Sequence, residues 1–389
     1  MSPLRLLTAL AIVSSVLFGM HYYLWARWVR DTAMAPPWRV LATLALALLA
    51  GIIVGGFSLM RSAPRSLSSP LLWVAYVWMG LGFFSIALFG AADLVQWVAG
   101  RVLQTGVDLE RRQALARLAG GAVMMSAVGL SAVGARGATA GAVVVQKIRV
   151  ALSRLPAALG NYRIVQISDV HVGPTIGREF LADIVARVNA LQPDLVAITG
   201  DLVDGTVEQL GALLAPLKDL RAKDGVFFTT GNHEYYWPQF ESWFSFLEGL
   251  GIRVLRNERV RVGGEHGFDL AGIDDLTARS YGPGHGADLD RALAGRDSSR
   301  ALVLLAHHPR QVRDAQRFDV DLQLSGHTHG GQMFPFSLLV RLVEPYVAGL
   351  YTLGKTTLYV SRGTGYWGPP MRLGSPAEIT EVTLTPAQA

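Results

Sequence analysis

Asp169 and His171, Asp201, Asn232 and His233, His307 and His308, and His327 and His329 are oxygen and nitrogen donors. They recur in short clusters through the second half of a 389-residue chain. On extended backbone, the two side chains of Asp-x-His or His-x-His point to the same side, so each pair can clamp one ion. Imidazole, carboxylate and amide donors without sulfur suit Mn, Fe, Zn, Co or Ni, and a mixed set of this size is enough for two ions sharing a carboxylate. Two ions roughly 3.5–4 Å apart would stabilise both the attacking and the leaving oxygen in a displacement at phosphorus. A single His is more often a surface or hydrogen-bonded core residue. Six of the eight His in residues 161–389 fall in these clusters, which argues against that reading for the set.

The clusters need elements to hold them. Short β-rich apolar runs at Tyr162–Ser168, Asp194–Thr199, Gly225–Thr230, Ala301–Ala306 and Asp319–Leu324 read as buried strands. Each is followed by one of the donor clusters. Between them Arg178–Ala190, Val207–Arg221, Gln239–Leu250 and Ala287–Ala294 carry helical spacing of apolar residues. Alternating strands and helices predict an α/β domain over 161–389, and ligands in open α/β sheets collect at the carboxyl ends of strands.

The first 160 residues are of another kind. They hold 14 Lys and Arg against 4 Asp and Glu, whereas the remainder holds 21 against 26, so the overall net charge of +5 describes neither half. Such a division offers no footprint for nucleic-acid phosphate. A hydrophobic fraction of 51% and a mean hydropathy of +0.32 exclude a disordered chain. With no Cys, disulfides and thiolate metal sites are excluded as well. Leu6–Trp25, Val40–Met60 and Leu71–Ala92 are uncharged runs long enough to span a bilayer. Leu118–Ala135 is a fourth, richer in Gly, Ala and Ser, either a span or a signal-like segment. Arg111 and Arg112 before it resemble a twin-arginine export signal, or serve as an ordinary positive loop. Residues 1–140 are therefore expected to form an anchor of three to four helices in a lipid bilayer, with 141–160 as a linker. Placing loops 26–39 and 100–117 in the cytoplasm collects most of the Arg there and puts the catalytic half on the other face. Asp93 at the end of the third run is expected at the interface, and the aromatics around His21 as a belt at headgroup level.

In order and spacing, Asp169-Val170-His171, Gly200-Asp201-Leu202-Val203-Asp204, Gly231-Asn232-His233-Glu234, His307 and Gly326-His327-Thr328-His329 resemble the calcineurin-like metallophosphoesterases over about 162–385. The preceding spans, Gly330-Gly331-Gln332 and Ser361-Arg362-Gly363-Thr364-Gly365 look like the membrane-anchored bacterial branch of that family. The resemblance implies a four-layer αββα sandwich behind the N-terminal transmembrane helices, in the bacterial inner membrane. It implies a first ion on Asp169, His171, Asp201 and His329, and a second on Asp201, Asn232, His307 and His327. His233 is implied as the non-ligand His that contacts the phosphate and protonates the leaving oxygen, with Asp204 as the acid that orients it. His307 is favoured over His308 because it stands two residues before Pro309. The implied activity is a metal-dependent phosphoesterase, a phosphodiesterase or pyrophosphatase attacking a phosphate ester, lipid-linked or from the envelope, with a metal-bridging hydroxide. A non-catalytic metal-binding sensor or scaffold is the alternative. Arg362 and Arg372 are expected as solvated surface residues, and Tyr235, Tyr236 and Trp237 as aromatics flanking the site towards an acyl chain or membrane surface.

Overall fold

The structure is a computed structural model describing residues 3–103 and 108–387. The chain divides into two units, one of Met1–Gly134 with Gly368–Pro370, the other of Ala135–Trp367 with Met371–Ala389.

The first unit is helical. The four apolar runs lie on α1 (Pro3–Trp25), α2 (Pro36–Ser62), α3 (Arg65–Leu103) and α4 (Leu109–Gly137). Pro36 and Pro37 open α2, where the first N–H groups have no helical partner to lose. Among the described residues Pro36–Ser62, Arg65–Ala99 and Glu110–Gly137 are long and apolar enough to cross a membrane. Asp93 is half-buried on α3. It accepts from the Tyr23 hydroxyl at 2.6 Å and pairs with Arg27, so it has an intramolecular cation of its own. His21 is satisfied likewise: Nε2 accepts from Trp78 Nε1 at 3.0 Å and Nδ1 donates to the Leu17 carbonyl at 2.9 Å.

The second unit is a four-layer sandwich. Its first sheet contains β1 (Val144–Leu152), β2 (Tyr162–Ile167), β3 (Leu195–Thr199), β4 (Val226–Thr229) and β5 (Ile252–Val254), and its second opens with β6 (Glu258–Val262) and β7 (Phe268–Gly272). The second sheet continues through β8 (Leu302–Leu305), β9 (Leu322–Ser325), β10 (Gly349–Leu353) and β11 (Thr356–Val360), and β12 (Glu378–Pro386) returns to the first. The strand orders are β1-β12-β2-β3-β4-β5 and β10-β11-β9-β8-β7-β6. Within them β2 to β5 are parallel, as are β7, β8, β9 and β11, which sends their carboxyl ends to a common edge.

The middle of the sandwich is apolar from both sides. Ile164, Leu195, Ala197 and Phe227 of the first sheet form one core with Phe268, Leu270, Val303, Leu305 and Leu324 of the second. Outside the first sheet, α5 (Arg178–Ala190) buries Leu181, Ile184, Val185 and Val188, an i, i+3, i+4, i+7 stripe. Outside the second, Leu289, Ala292 and Leu293 pack on Ala271, Leu302 and Leu304.

Three expectations are corrected. Residues 141–160 are not a linker and the sheet domain does not start at 161, because β1 pairs in parallel with β12 along its whole length. Lys147 and Arg149 interrupt the apolar run of β1. They are exposed on an edge strand, where charge blocks further pairing. Val207–Arg221 is not one helix. After a single turn, Val207–Leu210, it continues as 3-10 pieces at Gly211–Leu213 and Ala215–Asp219, since Pro216 cannot donate to a continuing helix. The last expected strand starts later, at Leu322, after a left-handed Asp319.

Candidate metal centre

The loops leaving β2 and β3 are stitched together before any donor is placed. Asp169 N–H donates to Gly200 O (3.0 Å), His171 N–H to Asp201 O (3.1 Å) and Asp204 N–H to Val172 O (2.9 Å). Here the backbone departs from the extended geometry that the paired-donor argument assumes. Asp169 and His171 both have φ of 53°, Asp201 51°, His327 73° and His329 51°. Five of the seven implied ligands thus sit in the left-handed region that non-glycine residues avoid, a cost sustained where surrounding bonds over-determine the loop.

Those loops bring the donors into three groups: Asp169, His171 and His329; His171, Asp201 and His233; and Asp201, His307 and His327. Within each, one donor atom per residue lies within 4.8 Å of the others. His171 Nε2 and His329 Nε2 are 3.1 Å apart, and His329 Nε2 lies 3.5 Å from Asp169 Oδ1. His307 Nε2 lies 3.2 Å from both Asp201 Oδ2 and Asn232 Oδ1, and His327 Nδ1 lies 3.0 Å from that amide oxygen. His307 Nδ1 can only donate to the Thr199 carbonyl at 2.8 Å, which leaves Nε2 as the inward lone pair. The Asn232 amide N–H donates to the Tyr236 hydroxyl at 2.9 Å, which turns its oxygen inward.

His233 stands beside these groups. Its Nδ1 is 2.6 Å from Asp204 Oδ1 and its Nε2 is 3.9 Å from Asp201 Oδ2. The same Asp204 oxygen is 3.3 Å from His171 Nδ1, a second contact that sequence reading did not anticipate. Burial opposes a charge on His233, but Asp201 and Asp204 outweigh it and push its pKa up to about 9. Burial would raise Asp201, yet His307, His233 and His171 hold it well below the usual carboxylate range. Asp169, fully buried, is pushed up by burial despite His307. Burial, then neighbouring cationic groups, drive His327 and His329 down to the neutral form.

Glu234 was quoted in its block without a role. Its buried carboxylate accepts from the N–H groups of Gly231 (2.7 Å), Leu202 (2.7 Å), Asp201 (3.1 Å) and Val203 (3.4 Å), clasping the loop after β3 to the one after β4. Burial and the Asp201 charge push its pKa up to about 7, against the pull of the Gly231 and Leu202 N–H groups. The signal in the sequence was its place three residues after Gly231, at the start of a helical turn. Arg372 is buried, not solvated. Its guanidinium donates to the carbonyls of Gly365 (2.7 Å), Arg362 (2.8 Å) and Ser375 (3.1 Å) and lies 3.2 Å from His329 Nδ1. Arg362 pairs with the buried Glu378 at 2.7 Å. Of the aromatic trio, Tyr235 and Trp237 are buried and Tyr236 is 42% exposed, its ring 4.9 Å from His233. Trp367, 52% exposed, faces His233 from 5.8 Å and was not foreseen.

His308, passed over in favour of His307, lies 3.4 Å from Asp275, its ring 3.7 Å from that of His327. Imidazole nitrogens, two buried carboxylates and an amide oxygen that converge from five loops fit bound divalent cations. The donor set is nitrogen and oxygen throughout, as borderline transition ions prefer.

This fold and site define a metal-dependent phosphoesterase. The Calcineurin-like phosphoesterase family profile matches residues 162–331. A Danio rerio protein named "Transmembrane protein with metallophosphoesterase domain" is 38% identical over 97% of this chain and 89% of its own length. A Bos taurus protein of the same name is 38% identical over 98% of this chain and 90% of its own. A Helicobacter pylori protein named "Uncharacterized metallophosphoesterase" is 45% identical over 58% of this chain and 60% of its own. The chain belongs to the calcineurin-like phosphoesterase family. Its apolar helices and the transmembrane proteins that match it nearly end to end make it membrane-associated. The expected bacterial branch is not borne out, because those end-to-end relatives are vertebrate.

Proposed function

We propose that this chain is a dinuclear phosphodiesterase or pyrophosphatase. One ion would be held by Asp169, His171, Asp201 and His329, the other by Asp201, Asn232, His307 and His327. The single observation that carries this reading is the pair of donor groups, Asp169–His171–His329 and Asp201–His307–His327, with His233 beside the donors they leave between them. When bound, such cations activate water and neutralise charge developing on phosphoryl oxygens.

The chain's own residues supply the proton. Asp204 fixes His233 through Nδ1 at 2.6 Å, so the opposite nitrogen, Nε2, is the one presented towards Asp201 and the substrate. The Asp204 carboxylate on Nδ1 favours the protonated imidazole, and His233 donates from Nε2 to the departing ester oxygen. The rings of Tyr236 and Trp367 lie 4.9 and 5.8 Å from that imidazole, where they would orient the leaving group by its apolar portion. On this reading the anchor would cross the membrane several times, with the sheet domain opposite the cytoplasm; the Arg in loops 26–39 and 100–117 support that sidedness, and Arg136, Lys147, Arg149 and Arg154 count against it.

Full-length protein in detergent with Mn²⁺ is expected to hydrolyse bis-p-nitrophenyl phosphate, and Asp201→Ala to lose both turnover and metal by elemental analysis. Wild-type turnover no higher than that of the variant would favour the scaffold alternative.

A further inference from the structure

The helix Phe336–Val343 follows the last donor block and is unlike the other long helices of the sheet domain. None of its eight residues is buried, although α5 and the helix Ser242–Gly249 each bury a face. Leu338 and Leu342, and Leu339 and Val343, form two adjoining i, i+4 rows, a complete apolar stripe turned to solvent. Leu342 is 82% exposed. The helix is nonetheless fixed at both ends. At its start Ser337 packs against Gly331, where a Cβ would come within 2.4 Å of the Ser337 Cα and φ is +79°. At its end Glu344 pairs with Arg310 at 2.9 Å. A stripe held outward in this way is a binding surface.

We propose that this helix lies in the headgroup region of the bilayer occupied by the chain's own anchor. Six residues separate the end of α4 at Gly137 from Val144, about 25 Å at full extension, so a bilayer is always within reach of the domain. A second copy of the chain is the weaker occupant. One stripe on a helix about 12 Å long falls far short of the ~800 Å² per partner that a stable interface buries. A few apolar side chains reaching roughly 5–10 Å deep, with exposed Arg341 at headgroup level, are sufficient for interfacial seating. Because the helix packs on the turn His329–Gly331, docking brings the membrane surface to the edge of the donor cluster. Resting on the phosphoesterase reading, this makes the substrate an ester phosphate at the head of a membrane amphiphile.

The absence of Cys allows single labels. Full-length Leu342→Cys, carrying an environment-sensitive fluorophore, is reconstituted into phosphatidylcholine–phosphatidylglycerol vesicles with acyl-chain nitroxides. Its emission is expected to be quenched about twofold more than that of a Lys223→Cys control. Leu339→Glu with Leu342→Glu is expected to slow turnover of vesicle-borne ester about tenfold while leaving bis-p-nitrophenyl phosphate turnover unchanged. Quenching equal to that of the control overturns the proposal, as does oxidation of unlabelled Leu342→Cys to a disulfide dimer together with loss of quenching in the labelled protein on dilution. Quenching without hydrolysis of any ester removes the phosphoesterase reading and leaves the docking in place.

Discussion

Asp204 serves two imidazoles through one oxygen, so its negative charge bears on His171, the proposed ligand, and on His233, the proposed proton donor, together. His233→Asn should therefore cost more with a poor leaving group than with a good one. The expected loss is about 10²-fold or more in kcat for an alkyl ester, and much less for p-nitrophenyl esters, whose phenolate leaves unprotonated. Steady-state kinetics on the two substrates check this. The same imidazole carries a pH signature in the chelator-treated protein. Its pKa rises from the ordinary 6.5 to about 9 on folding. The folded state thus holds more protons between those values, and stability present below 6.5 is lost as pH rises through 9. The difference in Tm between wild type and His233→Asn should shrink from pH 6 to pH 9.5, and a difference that grows would contradict the assignment.

At the level of elements, the site depends on how closely loops pass one another. A Cβ on Gly326 would come within 2.1 Å of both Asp169 Oδ2 and Ser168 Oγ. Gly326→Ala should therefore displace Asp169, destabilise the fold by about 1–3 kcal/mol and strip bound metal, seen by thermal melting with elemental analysis. Such contacts also explain what could and could not be read in advance. The donor blocks were legible because β3, β4 and β8 are buried, almost wholly apolar runs, β2 and β9 are short and largely apolar, and a polar cluster follows each. The edge strand β1 was hidden by its exposed cations, and β10 by its half-exposed surface. The left-handed backbone at Asp169, His171, Asp201, His327 and His329 had no glycine to announce it. Nor did the sequence distinguish Arg372, spent on backbone carbonyls, from an arginine in water. Trp367 came to His233 from 134 residues away in the chain, a distance no local pattern spans.

For the whole molecule, cation binding should be visible as stability. Chelator is expected to lower Tm, and restored Mn²⁺ at about 100 times its Kd to return about 2.7 kcal/mol. If the long apolar helices of the first unit cross the bilayer as proposed, the full chain should stay in the membrane pellet through an alkaline carbonate wash, and release into the supernatant would contradict spanning. The seating of β12 between β1 and β2 has a consequence for biosynthesis. The strand that completes the first sheet's interior is Glu378–Pro386, so β1 and β2 cannot be bridged until the ribosome has made those residues. The nascent enzyme must wait with an open seam, and a holding chaperone on the side where it emerges would find its client there.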